Sequence, residues 1–227
     1  MIANRDTIIS LHLPKTAGKS FAAALHQHFG NSYLADYSDH AMSKQPYDRC
    51  RQATEASISI SEEGLQGVQC VHGHFLPLKY LLLGVKQNLT FITWMRDPAE
   101  RIISHYHYFQ NLRPIIRPHH RRIIEERWSL ERFCLSLEFQ NVYSQYLYGF
   151  PLAMFKFIGI TEYYEDDLSY FAQNFLEGDL ETHHVNVGAK RIGNKYEINS
   201  DLRQQIEAHH SQDLQLYQKA LKRRLAR

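Results

Sequence analysis

Thr7-Ile8-Ile9-Ser10-Leu11-His12-Leu13, then Pro14-Lys15-Thr16-Ala17-Gly18-Lys19-Ser20, then Phe21-Ala22-Ala23-Ala24-Leu25, is the stretch that decides the fold. The first seven residues are rich in β-branched and aliphatic side chains and read as a buried strand. The next seven form a short basic loop with one glycine. The alanine-rich run after them favours helix. A strand that turns through such a loop into a helix points the helix's first N–H groups, and two lysines, at whatever anion approaches. The chain is therefore predicted to open on a phosphate cradle.

Working outward, Val68-Gln69-Cys70-Val71, Leu89 to Met95 and Phe157 to Thr161 read as further strands. Helices are predicted over about 19–29, 98–112, 129–137, 141–148 and 166–176, with a brief one from Pro77 to Leu83. The tail after Ser200 reads as one long amphipathic helix with Leu202, Ile206, Leu214, Tyr217 and Leu221 on one side. Residues 38–57 and 113–127 read as polar and basic surface excursions. Strands alternating with helices imply an α/β fold, a parallel sheet with helices on both faces, whose ligands sit at the carboxyl ends of the strands. No linker or internal repeat divides residues 1–227, so one domain is expected.

Composition narrows the classes. A net charge of +2 over 227 residues gives no general field for nucleic acid. Cys50, Cys70 and Cys134 are three in number and contain no C-x-x-C pair, which argues against a disulfide framework and for a reducing, cytoplasmic setting. No apolar run reaches the roughly 18–20 residues of a membrane span, and no membrane partner is expected.

The second deciding segment is Arg96-Asp97-Pro98-Ala99-Glu100-Arg101-Ile102-Ile103-Ser104-His105-Tyr106. Asp97 can cap a helix that Pro98 opens. Arg96, at the strand end, offers a planar fork of donors to a phosphate, and Ser104 adds a hydroxyl two turns on. Against the Walker A pattern, Gly18-Lys19-Ser20 fits the second half, but Leu13 stands where the first glycine belongs. Loop and arginine segment together, about 80 residues apart, resemble the two cofactor motifs of sulfotransferases that use 3′-phosphoadenosine-5′-phosphosulfate (PAPS). That resemblance implies a P-loop-like core, with Pro14, Lys15, Thr16, Ala17, Gly18, Lys19 and Ser20 around the 5′-phosphosulfate and Arg96 and Ser104 on the 3′-phosphate.

A third segment, Val71-His72-Gly73-His74-Phe75, follows a strand, and histidine is the usual general base near neutral pH. It looks like the His-Gly-His of glycan O-sulfotransferases, which implies His74 as the base and His72 as second choice or supporting donor. Cys70, His72 and His74 alternate on one strand face, but three soft ligands without a fourth make a poor zinc site, and no metal is expected. The resemblance also implies acceptor contacts from Asn141, Gln145 and Tyr146, and cofactor contacts from Lys190 and Arg191 in a covering loop. Arg113, Arg117, Arg121, Arg122 and Arg127, with His119 and His120, make a local basic cluster, a solvated surface or a seat for an anionic acceptor.

The expected activity is transfer of a sulfuryl group from PAPS to an acceptor hydroxyl, on a carbohydrate or another small molecule. Lys15 and His74 carry the chemistry in that reading. The alternatives are a P-loop small-molecule or nucleotide kinase using Lys19 and Mg²⁺, and a non-catalytic nucleotide-binding protein.

Overall fold

A computed structural model describes residues 6–39, 45–115, 118–176, 180–181 and 196–227 of the chain. Among them, five strands form one parallel sheet: β1 (Thr7–Leu11), β2 (Tyr33–Asp36), β3 (Cys70–Gly73), β4 (Leu89–Met95) and β5 (Phe157–Ile160), in the order β2-β3-β1-β4-β5. The helices are α1 (Gly18–Phe29), α2 (Pro46–Glu63), α3 (Pro98–Asn111), α4 (Pro118–Glu125), α5 (Leu130–Cys134), α6 (Val142–Tyr146), α7 (Tyr164–Phe175), α8 (Ser200–His209) and α9 (Ser211–Leu225). The fold is the expected α/β sheet with helices on both faces.

Strand alternation sorts the core into two layers. Ile8, Cys70, Ile92, Trp94 and Phe157 point to the face covered by Phe21 and Leu25 of α1 and by Leu168 and Phe171 of α7. Ile9, Leu11, Val71, Phe91, Met95, Ile158 and Ile160 point to the other, where Tyr143 and Tyr146 of α6 and Tyr217 and Ala220 of α9 close over them. A third cluster joins α3, α4, α5 and α8 around Phe109, Phe133, Phe139 and Ile206. These rings meet in edge-on and stacked contacts, with Phe133 and Phe139 at 4.1 Å.

The order of the strands places the site. From β1 the chain leaves toward β2 on one side, and from β4 it leaves toward β5 on the other. The carboxyl ends of β1 and β4 are thus a switch point, where the departing loops part and open a crevice. Leu11 pairs with Thr93, so the loop after β1 and the turn at Arg96 start side by side.

Four expectations are corrected. Much of the stretch 38–57, read as a surface excursion, lies in the 18-residue helix α2 (Pro46–Glu63). Its buried stripe is Arg49, Ala53 and Ser57, spaced by four, so it carries a helical period in residues that a hydrophobic pattern does not register. The Ser57 hydroxyl accepts the N–H of Leu82 (3.1 Å), which docks α2 on the 3₁₀ turns at 77–85. The short edge strand β2 was not anticipated; Leu34 and Ala35 on it are exposed, which hid the pattern. The tail is two helices, broken at the buried His210, whose ring Nε2 donates to the Cys134 carbonyl (2.9 Å). The excursion at 113–127 also contains α4. Among the described residues, no helix is long and apolar enough to cross a membrane.

Gly159 on β5 lies against the Trp94 ring, and a Cβ there would come within 2.4 Å of it. Gly159→Ala is expected to lower the unfolding free energy by about 1–3 kcal/mol through overpacking. The denaturation midpoint in urea reads this, and an unchanged midpoint would show that the Trp94 contact does not constrain the sheet.

Candidate active site

The loop between β1 and α1 is held in an unusual conformation. Lys15 (φ 67°) and Ala17 (φ 63°) both take the left-handed region without being glycine. Each costs about 1–2 kcal/mol, and such residues persist where the surroundings fix them. Left-handed residues among right-handed ones turn successive N–H groups inward into an anion-binding nest. The first turn of α1 adds N–H groups with no acceptor inside the helix. Thr16 is buried, and its hydroxyl donates to the Leu13 carbonyl (2.8 Å), bracing the loop from within. Pro14 and Ala17 are half-buried, Ser20 is buried and Lys19 is exposed. Gly18 is needed for close approach, because a Cβ would lie 1.9 Å from Nε2 of His12.

Helix α3 supplies the facing wall. Asp97 caps it by accepting the Glu100 N–H (3.0 Å), with Pro98 in the first turn. Glu100, Ser104 and Tyr108 recur every four residues and so share one side of α3. The Lys15 ammonium lies 4.4 Å from the centre of the Tyr108 ring, and that of Lys19 lies 6.0 Å away. An ammonium over an aromatic face is held by the ring quadrupole. The two motifs therefore converge: the loop lysines sit one helical turn from Ser104. Arg96 is buried, 3.7 Å from Glu100 and 4.0 Å from Glu162, with its guanidinium carbon 5.6 Å from the centre of the Tyr196 ring. Glu100 also receives the Tyr196 N–H (2.9 Å) and the Arg203 guanidinium (2.5 Å). Burial raises the Glu162 carboxyl above its ordinary value, while the Asp97 N–H it accepts and the nearby Arg96 work against that rise.

The third wall is imidazole. His12, at the end of β1, stands 4.4 Å from His74 and 5.1 Å from His72, centre to centre. Nδ1 of His74 donates to the His12 carbonyl (2.6 Å). The acceptor is a carbonyl, so Nδ1 carries the proton, and in the neutral ring Nε2 is the basic atom. Tyr37 stands edge-on to His74 at 4.9 Å, and Tyr146 lies at 5.8 Å. His72 is fully buried behind, its Nδ1 paired with the Ser10 hydroxyl (2.8 Å). Burial first, and the neighbouring His74 second, push His72 down to about 3, with the Gly18 backbone opposing part of that fall. Burial also holds His12 well below the usual imidazole range, helped by the charges of His72, His74, Lys15 and Lys19. The lysines and the histidines thus share one electrostatic environment.

Of the other residues named from sequence, Tyr146 reaches the histidine wall and also carries the Arg49 guanidinium 5.3 Å from its ring centre. Arg49 is buried, bonded to both oxygens of Asp39 and to the Gln145 carbonyl. The Gln145 amide donates to the Gln140 carbonyl (2.8 Å). Asn141 (φ 49°) joins α6 to α9: its Oδ1 accepts the Asp213 N–H (3.3 Å). Lys190 and Arg191 lie outside the described residues. In the basic segment Arg122 pairs with Glu138, while Arg132 of α5 pairs with Glu126 (2.6 Å), and both cations lie against Trp128. Cys70, His72 and His74 form no metal cluster, and none of three or more ligands occurs among the described residues.

Sequence reasoning passed over His12, Tyr37, Tyr108 and Tyr143. His12 had a signal, being two residues beyond Ser10 on the strand that feeds the loop. Tyr108 had one too, four residues beyond Ser104.

No protein-family model matches the chain, and no curated protein does. Among solved structures, the chain is similar to the crystal structure of a sulfotransferase from Alicyclobacillus acidocaldarius, at 15% identity and TM-score 0.47, over 93% of this chain and 94% of that one. Identity this low carries no residue roles from one chain to the other.

The depressed histidines make stability depend on pH. Unfolded, His72 binds a proton near its ordinary value of 6.5; folded, it does so only at about 3. Between these values the unfolded chain holds the extra proton, so stability falls as pH falls, by up to about 1.4 kcal/mol per pH unit for one group. His210, pushed down to about 4 by burial, acts in the same direction. The His72→Asn variant keeps a partner for Ser10 and removes this share. Urea midpoints measured from pH 7 to pH 4 should fall less steeply for the variant than for the parent. Parallel slopes would show that His72 titrates normally in the fold.

Proposed function

We propose that the chain is a sulfotransferase that uses PAPS as donor and a hydroxyl on a carbohydrate or other small molecule as acceptor. The observation that carries this is the Lys15 ammonium over Tyr108, four residues along the same helix from Ser104. It joins a phosphate nest on β1 to a buried arginine on β4 across a single crevice. A donor with phosphate at both ends of one adenosine requires two such pockets.

The residues fit that donor. The nest of residues 14–20 suits the 5′-phosphosulfate, and Arg96 with Ser104 suits the 3′-phosphate. When bound, PAPS supplies the sulfuryl group and departs as adenosine 3′,5′-bisphosphate. Lys15 neutralises the negative charge that grows on the bridging oxygen, and the loop N–H groups and Lys19 hold the non-bridging oxygens, as preorganised dipoles do. His74 takes the acceptor proton at Nε2, with Nδ1 anchored on the His12 carbonyl. Tyr37 and Tyr146 stand as aromatic walls beside it, surfaces on which a sugar or phenol ring can rest.

A phosphoryl-transfer enzyme would need a carboxylate for Mg²⁺ near the nest. The carboxylates that follow β4 already have partners, Asp97 capping α3 and Glu100 accepting from the Tyr196 N–H and Arg203, and Leu13, at the first-glycine position, is buried in the core.

Calorimetric titration tests this directly. Adenosine 3′,5′-bisphosphate should bind without added metal, and more tightly than ATP with Mg²⁺. Arg96→Ala should weaken it by about 30–100-fold, the worth of a charge-assisted contact. Lys15→Ala and His74→Ala should retain binding but lose about 10²–10³-fold in transfer of labelled sulfate across a panel of glycans and phenols. Preference for ATP with Mg²⁺ would favour a kinase, and bisphosphate binding with no acceptor sulfated would favour a non-catalytic binder.

A further inference from the structure

Tyr143 of α6 is fully buried, and its hydroxyl meets both peptide groups of Arg96. It accepts the Arg96 N–H (3.0 Å) and donates to the Arg96 carbonyl (2.7 Å). A hydroxyl both donates and accepts, so one oxygen pins the backbone at the strand end from two directions. Helix α6 is itself fixed from α9. Asp213 takes the N–H of Tyr143 at one oxygen (3.0 Å) and that of Ser144 at the other (3.1 Å). The Asn141 N–H donates to His210 Nδ1 (3.3 Å) in the break between α8 and α9. A chain of buried polar contacts therefore runs from the carboxyl-terminal helices through Tyr143 to Arg96.

Aim matters at this position. Arg96 lies between Glu100 and Glu162. Arg96 already shares its charge with these carboxylates, and the setting of its backbone decides how its planar fork divides between them and an incoming phosphate. We propose that Tyr143 is the positioning residue that aims Arg96, and that discrimination in favour of a ligand bearing a phosphate at that pocket depends on its hydroxyl. This rests on the assignment of Arg96 to the 3′-phosphate given above. Tyr143 touches no ligand in this scheme and acts only through Arg96.

The test compares two probes, adenosine 3′,5′-bisphosphate and 5′-AMP, titrated calorimetrically into the full chain. Tyr143→Phe keeps the ring and removes the clamp. It is expected to cut the preference for the bisphosphate by about tenfold, with affinity for 5′-AMP within about twofold of the parent. In an Arg96→Ala background the same change is expected to leave the ratio where it stands, since the two residues act as one unit. A merely structural role would weaken both probes alike, and that result, or an unchanged ratio, would overturn the proposal. If Tyr143→Phe does not fold, as judged by loss of a cooperative thermal transition, Asp213→Asn reads the same link through the α6 backbone. It should lower the ratio by about threefold, and an unchanged ratio there would equally overturn the proposal. A parent chain with no preference for the bisphosphate ends both the 3′-phosphate assignment and this one; a parent with the preference and variants that keep it end this one alone.

Discussion

The parallel pairing of β1 with β4, from Thr7 beside Leu89 to Leu11 beside Thr93, is the constraint on which the rest depends. It sets two loops next to each other at the one place where the connections leave in opposite directions. On one side stands a nest built of left-handed Lys15 and Ala17; on the other, an arginine at the start of a capped helix. Their adjacency gives the crevice two basic ends. β3, on the other flank of β1, brings His72 and His74 alongside by the same logic, with Ser10 level with His72.

The positive charges at the site are already buttressed by protein groups. Lys15 and Lys19 rest on the face of Tyr108, and Arg96 is balanced by Glu100 and Glu162 and covered by Tyr196. The imidazoles respond to the same field: burial first, then the neighbouring imidazoles and the loop lysines, hold His12 well below the usual imidazole range, which makes it a weak base. The site is thus cationic along the loop, with the imidazoles of His12, His72 and His74 packed beside it.

Much of this was legible in the sequence where the residues follow one rule at a time. The strand-loop-helix at 7–25 and the Asp97-Pro98 cap announced β1, α1, β4 and α3 in their places, because hydrophobic runs and caps are local. The elements that escaped notice obey rules a linear pattern hides. In α2 the buried stripe is Arg49, Ala53 and Ser57, whose burial is made possible by partners such as Asp39 and Leu82, distant in sequence or unremarkable in type. The break at His210 depends on the Cys134 carbonyl, 76 residues away. Likewise the importance of Tyr143 comes wholly from Arg96, 47 residues earlier. Loop lysines, strand-end arginine and paired histidines stand out in the sequence as basic residues at the ends of apolar runs; the groups that hold them in position come from tertiary contacts that no spacing records.

The most direct measurement is a crystal structure of the full chain soaked with adenosine 3′,5′-bisphosphate. The expected map has the 5′-phosphate seated on the N–H groups of residues 14–20 and the 3′-phosphate on Arg96 and Ser104, with the nucleoside bridging β1 and β4. A ligand that leaves either seat empty, or settles elsewhere on the protein, would contradict a single donor held at both ends.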